Sequence, residues 1–158
     1  MSRCTLLIAF LFSSFAAVAQ DAAVYPEREV FYGTRVLTIE GGHIMPNQSN
    51  VWNSALITIS DNKIYKGFST STFDVMYNVD EGRLLPDRSQ FSGDVLYTYR
   101  NGKIYKGDSN FPLDVVYTFK NGYIYEGDQE AVFDILYTVE GEISIPELYG
   151  ILLCLELI

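Results

Sequence analysis

Four aspartates recur in this sequence at intervals of 20 residues, and their type and spacing could support metal chemistry. They are Asp74, Asp94, Asp114 and Asp134. If the segments that carry them stack, the carboxylates form a column, and calcium prefers several oxygen ligands of this kind. The alternative interpretation is local, because an aspartate in a loop accepts hydrogen bonds from its own backbone, as in an Asx turn. The spacing lacks the dense ligand run of a known calcium loop, which favours the local interpretation.

Four tyrosines repeat with the same period, namely Tyr77, Tyr97, Tyr117 and Tyr137. Aromatic rings between repeats could hold sugars or cationic groups by stacking and cation–π contacts. Trp52, the only tryptophan, is a further candidate for such a ligand site. The other interpretation is a repeated aromatic core. Valine and phenylalanine neighbours on the same strands favour the core.

Catalysis would have to centre on His43, the only histidine, with Trp52 close to it in sequence. Hydrolytic triads need a nucleophile, a base and an orienting acid within reach of one another. The sequence contains no G-x-S-x-G elbow, no phosphate-binding loop and no zinc-spaced cluster of cysteine and histidine. We therefore predict a non-enzymatic protein without a required cofactor, and keep an enzyme centred on His43 as an alternative.

A repeat of about 20 residues positions all of these candidates. The segment YTYRNGKIYKGD at 97–108 recurs as YTFKNGYIYEGD at 117–128, and a fixed period predicts a repeat architecture. Asn101-Gly102 and Asn121-Gly122 lie between apolar strands, where Asn-Gly is a strong hairpin signal. The sequence thus predicts an all-β fold of tandem hairpins. Whether the array is open or forms a closed ring is left undecided.

The chain divides into four parts on this interpretation. Residues 1–19 form a signal peptide, in which Arg3 precedes an apolar run and Ala17-Val18-Ala19 fits the cleavage rule. Residues 20–60 are a lead-in followed by degenerate repeats, and residues 61–142 are the hairpin array. Residues 143–158 contain a helix. The apolar run of the leader is short for a membrane span, so we predict export to a periplasmic, outer-surface or secreted location and no stable membrane span.

The C-terminal segment changes from strand to helix periodicity. Ser144 and Glu147 form a capping box around Pro146, and Leu148, Ile151, Leu152 and Leu155 follow at helical spacing. We predict a helix from about Ile145 to Leu157 that covers an end or one face of the hairpin array. A final strand is the alternative, because GILLCLELI could alternate between two faces.

Charge and cysteine content limit the partners. The chain has a net charge of −9, which becomes −10 when the leader with Arg3 is removed. No basic cluster exists, so nucleic acid and anionic membranes are poor partners.

Cys154 is the only cysteine left after the leader, and its apolar neighbours indicate a buried thiol rather than a reactive one.

The repeated segments resemble two groups of hairpin-repeat proteins. YTYRNGKIYKGD is similar to the centre of a MORN repeat, although MORN units are longer and carry a tryptophan that is absent here. Phe-Asp-Val-Met-Tyr at 73–77 more closely resembles the four-fold beta-flower repeats of uncharacterised exported bacterial proteins. The resemblance implies hairpins around a pseudo-symmetry axis and no catalytic residue. We expect a binding or structural module that contacts a protein or a cell-surface glycan, or alternatively a calcium-stabilised envelope protein; the oligomeric state is left open.

Overall fold

The computed structural model describes residues 21–27, 35–46, 54–87, 89 and 91–158. Its elements are short antiparallel strands and a single α-helix within these ranges. The strands are β1 (Ala22–Pro26), β2 (Leu37–Glu40), β3 (His43–Pro46), β4 (Ile57–Ser60), β5 (Lys63–Lys66), β6 (Val75–Asp80), β7 (Arg83–Pro86), β8 (Tyr97–Arg100), β9 (Lys103–Lys106), β10 (Val115–Lys120), β11 (Tyr123–Glu126) and β12 (Ile135–Glu140), and the helix is α1 (Ile145–Cys154). The all-β prediction with a C-terminal helix is confirmed. The predicted signal peptide and Trp52 lie outside the described residues.

The strands pair with their neighbours in chain order and close into a barrel. Closure joins the two ends of the chain, because β1 pairs antiparallel with β12 and places Val24 opposite Val139. Five hairpins come from consecutive strands, and the sixth comes from β12 and β1. Residues 22–26, which we described as part of a lead-in, are therefore a strand of this ring. A closed ring leaves no sheet edge exposed to other chains.

Two-residue turns join the strands of each consecutive hairpin, and all of them lie on one rim of the barrel, the turn rim. Both turn residues have positive φ, as at Asn101 (51°) and Gly102 (81°). This conformation defines the type I′ turn, whose twist matches that of the flanking strands. The Asn-Gly signal is therefore confirmed. The same backbone occurs at Gly41-Gly42, Asp61-Asn62, Glu81-Gly82 and Asn121-Gly122.

The turn glycines offer a matched test of this geometry. Gly122 has φ +79°, and a Cβ there would lie 2.8 Å from the backbone oxygen of Val139, whereas Gly127 has φ +68° and open space around it. Both alanine variants carry the left-handed strain of about 1–2 kcal/mol. Only in Gly122→Ala does the new Cβ also clash with a backbone atom, the carbonyl oxygen of Val139. We expect Gly122→Ala to lower the free energy of unfolding in urea by at least about 1 kcal/mol more than Gly127→Ala. Equal losses would contradict the close approach of the turn to β12.

One apolar residue of each hairpin points into the barrel and is almost completely buried. These residues recur every 20 positions as Val24, Ile44, Ile64, Leu84, Ile104 and Ile124. They form one core cluster with the buried residues Leu148, Tyr149, Ile151 and Leu152 of α1. Since every strand contributes a buried or partly buried member to this cluster, α1 lies in the barrel interior. The sequence predicted a helix that covers an end or a face of the array, and in the structure this is the inner face of the ring.

Helix α1 begins with the predicted capping box. The hydroxyl of Ser144 accepts from the Glu147 amide, and the Glu147 carboxylate accepts from the Ser144 amide at 2.7 Å. The helix then contacts several sides of the ring, because the Tyr149 hydroxyl donates to the Gly82 carbonyl at 2.8 Å, while Gly150 lies against Ile44 and Ile59. Among the described helices, none is both long and apolar enough to cross a membrane.

The connections between hairpins leave the opposite rim, the loop rim, and fold back over the outer face of the strands. The Thr98 hydroxyl, which is buried on that face, donates to the Gly107 carbonyl at 2.8 Å. Equivalent bonds join Thr58 to Gly67, Thr118 to Gly127 and, across the ring closure, Thr138 to Glu27. The connections thereby cover the outer face as α1 fills the inner one, which explains why strand residues on both faces are apolar or buried.

Candidate interaction surface

The four connections that follow β5, β7, β9 and β11 expose large apolar side chains to solvent. They span 67–74, 87–94, 107–114 and 127–134. Seven such side chains are between 49% and 98% exposed. We call this set the apolar loop band, and its members are Phe68, Phe73, Phe91, Phe111, Leu113, Val132 and Phe133. Isolated exposed apolar residues are ordinary on a protein surface, but here they recur in four consecutive repeats.

The band reaches the loop rim beside the end of the chain. Phe133 and Val132 line an open cleft of about 680 Å³ together with Pro26, Tyr137 and Leu157. Phe73 and Leu113 occupy the same repeat position as Phe133, and their exposure is 87% and 98%. Short 3-10 turns at Pro112–Asp114 and Val132–Asp134 return the chain to the strands and fix the backbone that presents these side chains.

Three of the four repeated aspartates are bonded within their own connection, but to a serine side chain and not to the loop backbone that the local interpretation named. The Asp74 carboxylate accepts a hydrogen bond from the Ser69 hydroxyl at 2.6 Å, and Asp94 and Asp114 accept from Ser89 and Ser109 in the same way. In the fourth repeat Gln129 replaces the serine, and no hydrogen bond to the Asp134 carboxylate is found among the described residues. Within the described part of the chain, no three acidic, histidine or cysteine side chains lie together as a metal site. Calcium binding by these aspartates stays a hypothesis for experiment.

Other carboxylates of the connections are paired with cations on the strands. Asp108 accepts from Arg100 at 2.9 Å, and Asp128 pairs with Lys103. Glu130 accepts from Lys120 at 2.6 Å. The Lys103 side chain has a raised pKa, chiefly because of its hydrogen bond to Asp128. These pairs are partly exposed and individually contribute little stability, but they link the connections at 107–114 and 127–134 to the strands.

The four repeated tyrosines pack against the core instead of projecting into solvent. Tyr77, Tyr97, Tyr117 and Tyr137 are partly buried beside the barrel interior. The Tyr117 hydroxyl donates to the Leu157 carbonyl at 3.0 Å, and desolvation, followed by the nearby charge of Glu126, raises its pKa. This arrangement matches the aromatic-core interpretation and holds the end of the chain at the loop rim.

His43 has structural contacts in β3. Its Nδ1 lies 2.9 Å from the Thr58 hydroxyl, which itself donates to the Gly67 carbonyl at 2.7 Å. Because that hydroxyl proton is already used, Nδ1 is the donor to Thr58. The His43 ring also packs against Phe68 with ring centroids 4.7 Å apart. These contacts connect the strand to the following connection.

Cys154 ends α1 as a free thiol. Burial raises the pKa of the thiol to about 12, so it is protonated at neutral pH and is a poor nucleophile. This agrees with the interpretation of Cys154 as a small hydrophobic residue of the core.

The apolar loop band is not among the predictions from the sequence, which treat the connections as turn-forming segments and consider only the aspartates and tyrosines of each repeat. A signal was available, because Phe73, Leu113 and Phe133 share one repeat position, and Phe91 and Phe111 share another. Apolar side chains in segments that are otherwise rich in turn formers and charges deserve a separate explanation.

Comparison with known protein families agrees with the six hairpins of the barrel. Residues 24–151 match the family described as 6-fold beta flower protein, and the match begins at Val24, the first of the six buried core positions. Neither the curated proteins nor the solved structures gave a match. The predicted relation to beta-flower repeats is thus supported with six-fold rather than four-fold symmetry, and the MORN comparison is not supported. The family is not a known enzyme family. This chain belongs to the 6-fold beta flower protein family.

Proposed function

We propose that this protein is a non-enzymatic binding module that contacts another protein through the apolar loop band. The observation that carries the proposal is the exposure of seven large apolar side chains on four consecutive connections. The seven side chains are distributed over four successive connections of the ring, and exposed apolar surface beyond isolated residues marks interaction sites. Four phenylalanines of the band are at least 69% exposed. Aromatic residues are enriched in protein interfaces.

The scaffold beneath the band favours such a role. Three of the four connections are held to their hairpins by a buried threonine, as at Thr118 with Gly127, and an ion pair such as Lys120 with Glu130 adds to this. Because the backbone of the band is ordered before binding, less conformational entropy is lost when a partner docks. Loops placed on a rigid sheet commonly carry binding residues for this reason.

The exposed side chains of the band suit contact with a protein better than contact with a glycan. Sugars bind through the flat faces of aromatic rings, whereas the most exposed member of the band, Leu113, is aliphatic, as is Val132. The tyrosines that we considered for sugar stacking pack against the core. A glycan is therefore the second candidate, and its support comes only from Phe73, Phe91, Phe111 and Phe133.

Calcium stabilisation and catalysis at His43 have less support. The aspartates expected to bind calcium accept serine hydroxyls, and the Nδ1 of His43 is bound to Thr58. A thermal melt with calcium and with chelator tests the calcium hypothesis. A ligand at a hundredfold excess over its dissociation constant stabilises the fold by about 2.7 kcal/mol, which would raise the melting temperature by several degrees.

We also propose that the chain is exported and reaches the periplasm, the outer surface or the medium. The support is the leader pattern of residues 1–19, with Arg3 before the apolar run and Ala17-Val18-Ala19 at its end. N-terminal sequencing of the protein purified from its own cells should begin at Gln20. A chain that retains residues 1–19 in the cytoplasm would contradict export.

Site-specific photo-cross-linking tests the binding proposal in the cells that make the protein. The photoreactive amino acid p-benzoyl-phenylalanine is placed at Phe111 or Phe133 in the band, and at Asn101 on the turn rim as the control. We expect discrete adducts with another polypeptide from the two band positions and none from Asn101. Adducts that contain only a second copy of this chain, only glycan or no partner at either band position would overturn the proposal.

A further inference from the structure

We infer that the partner of the apolar loop band is a basic amphipathic protein segment, one that carries lysine or arginine beside apolar side chains. This inference rests on the proposed function, because it names the partner class for the same surface. The seven apolar side chains lie in connections that also carry many charged residues. Apolar contact alone would accept many partners, whereas the charges select among them.

The connections that carry the band are strongly acidic. They contain eight carboxylates and one basic residue, Arg88, so they hold a net −7 of the −9 carried by the whole chain. Three of the carboxylates pair with Arg100, Lys103 and Lys120 on the strands. Adding these three cations, together with Lys66, Lys106 and Glu126 that directly precede three of the connections, leaves a net charge of −3 around the band. The surface is therefore apolar and negative at the same time.

The repeated aspartates lie next to the apolar side chains of the band. Asp74 follows Phe73, Asp114 follows Leu113 and Asp134 follows Phe133 in the chain. The serine hydroxyls that bind Asp74, Asp94 and Asp114 are neutral donors, so these bonds fix the orientation of the carboxylates without supplying a cation. An arginine or lysine of the partner can pair with such a carboxylate and lie over the adjacent phenylalanine ring.

The same charges disfavour the other occupants of an apolar surface. A second copy of this chain would bring two acidic bands together, and like charges in one interface are strongly unfavourable. An anionic membrane surface attracts basic rather than acidic segments. The band therefore selects a positively charged partner, and its apolar side chains require that this partner also present apolar groups.

The test is a binding titration of the full protein with defined probes. The first probe is a synthetic helical peptide with leucine on one face and lysine and arginine on the other. The comparison probes are the same peptide with every basic residue replaced by glutamate, and vesicles of zwitterionic lipid. The charge variant combines Asp74→Asn, Asp94→Asn, Asp114→Asn and Asp134→Asn, because asparagine keeps an oxygen that accepts the serine hydroxyl. The matched control combines Asp61→Asn, Glu81→Gln, Glu140→Gln and Glu142→Gln, four exposed carboxylates at the turn rim.

We expect the basic peptide to bind, and its affinity to fall about tenfold or more in about 0.5 M salt, because salt screens exposed charges. The four-aspartate variant should weaken binding by about tenfold or more, while the turn-rim control with the same change in charge keeps it. The glutamate peptide should not bind. Circular dichroism and a thermal melt show that each variant is folded.

The outcomes separate this inference from the proposed function. If both peptides bind equally and the four-aspartate variant is unchanged, while Phe111→Ser and Phe133→Ser abolish binding, the band is an interface but its partner is not selected by charge. Failure of the basic peptide to bind, or binding to vesicles alone, overturns the basic partner. The cross-linking result at Phe111 and Phe133 then decides independently whether the band contacts a protein at all.

Discussion

Tyr149→Ala should remove about 3–5 kcal/mol from the free energy of unfolding, which is the usual cost of truncating a large buried aromatic residue. Tyr149 is completely buried in the barrel interior and is among the largest side chains in the core. Its aromatic ring fills space in the barrel interior that the side chains of the short strands cannot fill by themselves. Since small domains are stable by only about 5–15 kcal/mol, much of the variant should be unfolded at moderate urea concentration.

Tyr149→Phe is the matched control for this prediction. It keeps the ring and removes only the hydroxyl that donates to the Gly82 carbonyl. That carbonyl still accepts the Tyr99 amide at 2.8 Å, so we expect a loss of about 1 kcal/mol. Urea unfolding followed by circular dichroism measures both variants. A loss below about 1 kcal/mol for Tyr149→Ala would mean that α1 does not lie in the core.

Val24→Asp should prevent the ring from closing. Val24 is fully buried in β1, opposite Val139 of β12 and Leu37 of β2. A carboxylate at this point has no cationic partner among the described core residues, and burying such a group costs several kcal/mol even when its pKa rises to keep it neutral. We expect a loss of about 3 kcal/mol or more, with aggregation, because strands left open at β12 and β2 expose their edges.

The same substitution on an exposed valine provides the control. Val132 is 58% exposed in the apolar loop band, so Val132→Asp should change stability by no more than about 0.5 kcal/mol. Urea unfolding and size-exclusion chromatography compare the two variants. A Val24→Asp protein that remains monomeric and as stable as the original would show that β1 is not needed to close the barrel.

Several features of this fold were accessible from the sequence because they depend on neighbouring residues. A two-residue turn with positive φ is specified by Asn-Gly itself, so Asn101-Gly102 and Asn121-Gly122 indicated hairpins. The capping box of Ser144 and Glu147 is likewise local, and it correctly identified where α1 begins. The structure ends α1 at Cys154, and Leu155 caps it, earlier than the predicted end near Leu157.

The candidate site was accessible only in part. The period places Asp74 and its equivalents in the connections, and the favoured interpretation is hydrogen bonding to the loop backbone, whereas the structure shows serine hydroxyls as the donors to three of these carboxylates. The exposure of Phe73, Leu113 and Phe133 could not be read from the sequence, because an apolar residue in a loop can turn inward or outward. The direction depends on how each connection folds back onto its hairpin, which the bonds from Thr98 and Thr118 to the glycine carbonyls decide.

By itself, the sequence determined the repeat, the hairpins and the presence of one apolar helix, since each follows from spacing over about 20 residues or fewer. The tertiary structure decided where these elements meet. Val24 and Val139 pair only because the twist and curvature of six hairpins add up to a closed ring. No short segment of the sequence specifies that total. The helix is apolar nearly all round, which requires that it be buried but does not specify against which strands it packs. Only the closed ring supplies an interior into which Tyr149 fits.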